Sequence, residues 1–149
     1  MTLDASSAYR HTDGHGANPI KMVILLYEQL IKDLQRGLAA MERNDIEGRT
    51  DEIDHALRVV GQLQGTLDMQ QGGEVAKNLD RYYYSLRVSL LNAQIGVLPG
   101  ELRKHIRILL ELREAWVQVE RSTQKTGELL SPAAPMMPSS LEKTLRWSI

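Results

Sequence analysis

Apolar residues return every three or four positions through four long stretches of the chain, and each stretch is bounded by residues that start or stop helices. In the first, Val23, Tyr27, Leu30, Leu34 and Met41 follow the 3.6-residue period, with Ile20, Ile24, Ile31 and Leu38 widening the stripe on one side. So broad a face implies contact with two neighbouring helices. Asn18-Pro19 opens this helix, because Asn can cap free N–H groups and Pro at the first helical position gives up no needed bond; the pattern carries it to about Arg43. The second stretch turns Ile53, Ala56, Leu57, Val60, Leu63 and Leu67 to one side and Asp51, Glu52, Asp54, Arg58, Gln62 and Gln64 to the flanks or outward. Asn44 and Glu47 have the spacing of a capping box, weakened by Gly48 and rivalled by Thr50, so this helix starts between Asn44 and Thr50.

Leu67 closes the second stripe. Gly72-Gly73 then supplies the backbone freedom of a helix end, and Glu74 puts a negative charge in the first turn of the next helix. The third helix carries Val75, Leu79, Tyr82, Leu86, Leu90, Ala93 and Val97 inward and is ended by Gly96, Pro99 and Gly100. The fourth starts near Pro99, carries Leu102, Ile106, Leu109, Leu112, Trp116 and Val119, and ends near Ser122. Helices of roughly 20–25 residues are about 30–37 Å long, and links this short force antiparallel neighbours. The pattern therefore predicts an all-α fold, an antiparallel up-down four-helix bundle over residues 18–122.

Two flanking regions lack this periodicity. Residues 1–17 form a polar arm rich in small residues, expected to be mobile, in which Tyr9 is the only aromatic. Residues 123–149 form a tail: Ser131-Pro132-Ala133-Ala134-Pro135-Met136-Met137-Pro138 cannot continue a helix, and a capping-box spacing from Ser139 to Glu142 then precedes Leu141, Leu145 and Trp147. That end reads as a short helix, marginal alone, which docks on a partner or on the bundle, or as a disordered tail.

Composition narrows the partners. With 18 Lys+Arg against 19 Asp+Glu, the net charge of −1 gives no field that would gather nucleic acid or an anionic membrane. There is no cysteine, so disulfides and thiolate chemistry are absent and a reducing, cytoplasmic location is expected. No signal-like or membrane-spanning apolar run occurs, which predicts no membrane insertion. Phenylalanine is missing, leaving Leu, Ile and Val to build most of the core of one domain of 149 residues.

An enzyme would need convergent reactive groups, and the chain offers few. Helical bundles build di-metal sites from paired Glu-x-x-His motifs. Glu52 and His55 have that spacing once, no second copy exists, and His55 points about 135° away from its own helix's stripe at 100° per residue. His105 lies toward the apolar side of helix four, where a lone histidine is usually hydrogen-bonded structure. Met41, Met69 and His105 lack a haem-attachment motif, and Gly72-Gly73 follows no strand, as a phosphate loop would require. No metal site, no cofactor and no catalytic residue is predicted.

The anomaly is on helix three. Tyr84, Val88, Leu91 and Ile95 recur at i, i+4, i+7 and i+11, a second apolar stripe about 140–180° from the first. A four-helix bundle cannot bury both. The second face is either covered by the tail or a second copy, or it is a groove for the amphipathic helix of a client. Arg113 is a smaller anomaly, a charge between Leu109 and Trp116 inside helix four's stripe, where it must snorkel or border a groove.

These residues resemble a known family, the flagellar export chaperone FliS. The resemblance is carried by Leu67-Asp68, Gly72-Gly73-Glu74-Val75-Ala76-Lys77-Asn78-Leu79 and Tyr83, by Ala8-Tyr9 in the arm, by Pro19, Leu26-Tyr27 and Ile31 in helix one, and by Ala115-Trp116 in helix four. It runs collinearly over about residues 8–120. The chain departs from the family where Tyr82, Tyr83 and Tyr84 are followed by Ser85 rather than another aromatic, and its tail is longer than the shared region.

The resemblance implies a cytoplasmic, non-enzymatic bundle that binds the disordered C-terminal segment of flagellin, prevents premature polymerisation and helps present it to the flagellar export gate protein. It also implies an arm whose tyrosine, here Tyr9, lies against the client groove. The client-binding expectation is Tyr9 together with Tyr84, Val88, Leu91 and Ile95; the family-motif residues are Tyr27, Gly72, Gly73, Glu74, Asn78, Leu79, Tyr83 and Trp116. The alternative is a homodimeric or adaptor bundle that uses the second stripe as a permanent interface.

Overall fold

A computed structural model describes residues 5–9 and 19–128, with side chains placed for residues 7–9 and 19–123. The Pro-rich stretch and the segment 139–149 lie outside the described residues. Four helices follow a short 3-10 turn at Ala5–Ala8: α1 (Pro19–Glu42), α2 (Ile46–Gly65), α3 (Gly73–Gly96) and α4 (Pro99–Glu128). No strand occurs among the described residues.

Each helix runs against its neighbours. Between α1 and α4, Lys21 pairs with Glu120 at 3.9 Å, Glu28 with Arg113 at 2.8 Å and Glu42 with Arg103 at 3.3 Å, so one sequence rises as the other falls. Between α2 and α3 the order is the same, from Gln64 with Asp80 to Asp54 with Gln94. The result is an up-down ring in which α1 packs on both α2 and α4, as its broad stripe requires. Arg113 is resolved by its pair: Nε and an amino nitrogen both donate to Glu28, at 3.1 and 2.8 Å. Its charge therefore sits at the margin of the core.

One continuous core holds Leu30 and Leu34 of α1, Ile53, Val60 and Leu63 of α2, Leu79 and Leu86 of α3, and Leu109, Leu112 and Trp116 of α4. Leu38, Leu57 and Ile106 pack at its edge, half-buried. The close approach of α1 and α2 is made at Gly37, where an added Cβ would meet Glu52 Cβ at 3.7 Å and Ile53 Cγ1 at 3.8 Å.

Three helix ends differ from the sequence expectation. At the start of α2, Asn44 takes φ 57° and reverses the chain, which leaves extended Asp45 to cap the helix by accepting from Gly48 N–H at 2.9 Å. The cap is thus one residue past the Asn44–Glu47 box, because Asn tolerates the left-handed region and a three-residue link needs it there. Thr50 does not compete; its hydroxyl donates back to Ile46 O at 2.9 Å. At the end of α3 the left-handed residue is Val97, φ 53°, and its side chain is exposed rather than part of the inward stripe. Only Leu98 then separates it from Pro99, so the reversal falls on Val97 despite its branched side chain. Finally, α4 continues to Glu128 rather than stopping near Ser122. No Pro or Gly follows Ser122 before Gly127, and the Thr123 hydroxyl donates to Val119 O at 2.9 Å within the helix.

Candidate functional site

The α3–α4 side of the ring is the most sparsely packed, and the N-terminal segment packs against both helices there. Residues 5–9, which carry no apolar periodicity in the sequence, are held in part by backbone contacts and by one aromatic ring. Asp68 N–H donates to Ala8 O at 2.7 Å, and Tyr9 pairs as an isolated antiparallel bridge with Leu67. The α2–α3 turn is therefore the seat of the arm. Gly72 is part of that seat, because a Cβ there would fall 2.6 Å from Ala76 Cβ, 2.6 Å from Asp68 O and 2.9 Å from Ala8 Cα. Its φ of −76° is ordinary, so space and not backbone freedom demands glycine at this position. Gly73, at φ 54°, supplies the reversal.

Tyr9 is fully buried among aromatics from three helices. Its hydroxyl bonds to that of Tyr83, which also meets the Tyr27 hydroxyl at 2.5 Å, and its ring stands edge-on to Trp116 with centroids 5.5 Å apart. Tyr82 packs beside Tyr83 at 5.9 Å and reaches His105 Nδ1 at 3.2 Å. Burial weakens all four phenols as acids: the pKa values of Tyr9, Tyr82 and Tyr83 are pushed well above the usual phenol range and that of Tyr27 to about 12. All four stay neutral; Tyr9, Tyr83 and Tyr27 form one chain of hydroxyls, and the Tyr82 hydroxyl bonds instead to His105. Burial, and then the neighbouring charge of Lys104, lowers His105 to about 4, so it too is neutral.

The outer face of α3 is a separate surface. Tyr84 is 65% exposed, Val88 40%, Leu91 45% and Ile95 85%, while Tyr82, Tyr83, Leu86, Leu90 and Ala93 on the inner side are buried. The five residues expected to bind a client are thus not brought together. Tyr9 sits in the interior with Tyr83 and Trp116, and the other four form an open stripe.

The structure also pairs two groups that periodicity left apart. Asp33 is buried, and its carboxylate accepts from Gln29 Nε2 at 2.8 Å and meets His55 Nδ1 at 2.5 Å across the α1–α2 seam. His55 therefore has a carboxylate partner from the other helix instead of a shared role with Glu52. The only signal for Asp33 is a charge one turn from Leu30 and Gly37, on the side where α1 carries small residues. The same side chains line an open cleft of about 320 Å³ with Arg36, Asp51 and Glu52. Among the described residues, no group of three or more His, Cys, Asp or Glu could hold a metal ion. No described helix is long and apolar enough to cross a membrane.

The family described as flagellar protein FliS matches residues 2–123, the arm, the turn and the four helices together. The chain belongs to the FliS family. Among similar proteins, the flagellar secretion chaperone FliS of Vibrio cholerae is 33% identical over 103 residues, which is 69% of this chain and 76% of the relative. The chaperone named FliSB of Pseudomonas aeruginosa is 33% identical over 100 residues, 67% and 79% of the two chains. FliS of Campylobacter jejuni is 29% identical over 119 residues, 79% and 92%. The family is one of chaperones, not of enzymes. In this FliS-family chain, four of the motif residues, Tyr27, Gly72, Tyr83 and Trp116, surround the arm. Leu79 is buried on the inner face of α3, Asn78 is half-buried, and Glu74 pairs at the surface with Lys77 at 3.7 Å.

Proposed function

We propose that this chain is a cytoplasmic chaperone that binds the disordered C-terminal region of flagellin, keeps it from polymerising and helps deliver it to the flagellar export gate. The observation that carries the reading is the outer stripe of α3, an apolar surface of Tyr84, Val88, Leu91 and Ile95 on a helix whose opposite face is fully used by the core. A client that must later pack helix on helix in a filament has apolar stripes of its own, and an amphipathic segment laid along α3 would cover both. Ordering such a segment costs several kcal/mol, so binding needs a long contact, and the four stripe positions span about 16 Å. The arm seat contributes differently. Tyr9 closes the weakly packed α3–α4 side, and its departure would open apolar surface continuous with the core, so the arm acts as a cover that a client can replace.

The test is direct. Changing Leu91 and Ile95 together to Ser should leave helicity and melting nearly unchanged, since both side chains are exposed, while weakening flagellin binding by about 2–4 kcal/mol. Equal binding by wild type and variant in titration calorimetry overturns the groove assignment. A concentration-dependent mass in sedimentation that the same double substitution abolishes would instead assign the face to a homodimer.

A further inference from the structure

We infer that the open cleft on the α1–α2 seam is a docking site for an arginine side chain of a partner protein. The cleft, about 320 Å³, is lined by Gln29, Asp33 and Arg36 from α1 and by Asp51, Glu52 and His55 from α2. It lies across the ring from the arm, which packs against α3 and α4, and it shares no residue with the outer stripe of α3. The client reading makes no use of it.

The floor of the cleft is a buried carboxylate. Asp33 is the only one so enclosed among the described residues. Taking such an ion out of water costs several kcal/mol, and a well-packed apolar pair would join two helices at the same place without that cost. The groups that meet Asp33 sit at the solvent side of the seam: Gln29 is half-buried and His55 exposed. Gln29 takes one Asp33 oxygen and His55 the other, which leaves each oxygen a second lone pair.

The rim adds two carboxylates that nothing neutralises. The side chains of Asp51, exposed, and Glu52, half-buried, make no ion pair or hydrogen bond among the described residues. Against these three acids stands one guanidinium, Arg36, exposed and likewise unpaired among the described residues. The cleft is therefore net negative whether His55 is neutral or charged, and a low-dielectric wall concentrates that field on a cation. No group of described residues there could hold a metal ion, so the cation that fits is organic. A planar guanidinium presents five donors in a fork and can engage Asp33 at the floor and Glu52 at the rim together. An ammonium is a more strongly hydrated point charge and loses more on entering.

The neighbouring surface supplies a second feature of the partner. Leu25 and Met22, both exposed, stand four and seven residues before Gln29 on its side of α1. Leu25 is about 12 Å along the helix from Asp33. The occupant is thus a protein segment with an arginine and an apolar residue about 12 Å apart, roughly four residues in an extended chain or eight in a helix. Bound there, it leaves α3 free, so one chain can hold a client and this partner at once.

The test uses the full chain and a blocked arginine, Nα-acetyl-L-arginine N-methylamide, read by the ring resonances of His55. These should move saturably with a dissociation constant of about 1–10 mM. Blocked citrulline, which keeps the shape and loses the charge, should bind at least about ten-fold more weakly, and so should blocked arginine to Asp51→Asn/Glu52→Gln, whose helicity should match wild type because both side chains are on the rim. Shifts that stay linear to about 100 mM, equal binding of citrulline, or unchanged affinity in the double variant overturn the site. Equal binding of blocked lysine overturns the assignment to arginine. Flagellin affinity should be unchanged in the double variant; its loss there, with helicity intact, overturns a separate partner and gives the cleft to the client.

Discussion

Replacing Tyr9 separates the arm from the bundle in a way that one amide can report. Ordering the five residues 5–9 costs about 5–10 kcal/mol of backbone entropy at 1–2 per residue, so the arm stays docked only while its contacts exceed that cost. Those contacts include the Ala8 carbonyl on Asp68 N–H at 2.7 Å, Ala8 against Gly72, and the fully buried ring and hydroxyl of Tyr9. Tyr9→Phe keeps the ring and removes one hydroxyl, and Tyr83 retains its bond to Tyr27, so the loss is about 1 kcal/mol. Tyr9→Ala removes the buried ring as well, a truncation that costs about 3–5 kcal/mol and shifts the docked-to-free ratio by about two to four decades.

The Ala variant should therefore release the arm without unfolding the bundle, because the other core side chains keep their neighbours. Amide hydrogen exchange reads this at Asp68, whose N–H is satisfied by the arm alone in the turn. Protection of Asp68 should be near wild type in Tyr9→Phe and lost in Tyr9→Ala, while amides in the middle of α1 and α2 stay protected in both. Retained protection of Asp68 in Tyr9→Ala would refute the reasoning, as would simultaneous loss throughout the bundle.

Gly72→Ala should have a related outcome by a different cause: the new Cβ meets backbone and a short side chain that cannot swing away, so a cost of about 1–3 kcal/mol is expected and Ala8 is the neighbour free to leave. Melting should fall by that amount with Asp68 exchange accelerated; a wild-type melting point would contradict the close packing. For His105, the folded value near 4 lies below the usual 6.5, so the unfolded chain binds the extra proton between these values and stability falls as pH drops from about 6.5 to 4. The loss approaches about 3 kcal/mol, and His105→Gln should flatten that part of the profile in urea melts at pH 7 and pH 5. An unchanged slope would place the titration elsewhere.

Periodicity is a property of one helix about its own axis, and what depends on it was readable from the residues. The four stripes, the glycine turn before α3, the reach of α1 toward two neighbours and the outward direction of Tyr84, Val88, Leu91 and Ile95 all follow from residue spacing. The family resemblance added what spacing cannot give, the kind of protein this is. Residues that meet across the ring were not readable in this way. Tyr82, Tyr83 and Tyr84 are successive steps of about 100°, and spacing assigned the first inward and the third outward without deciding the second. Tyr83 is buried because Tyr9, 74 positions earlier, and Tyr27, 56 earlier, bring hydroxyls to it.

The same distinction holds for Asp33 with His55 and for Arg113 with Glu28. In each case a polar group finds its partner on a segment whose position is fixed only after the helices pack. Local sequence thus decided which face of each helix is apolar. Tertiary packing decided which apolar faces are spent on the core, and it left the outer face of α3 exposed beside the side that the arm covers.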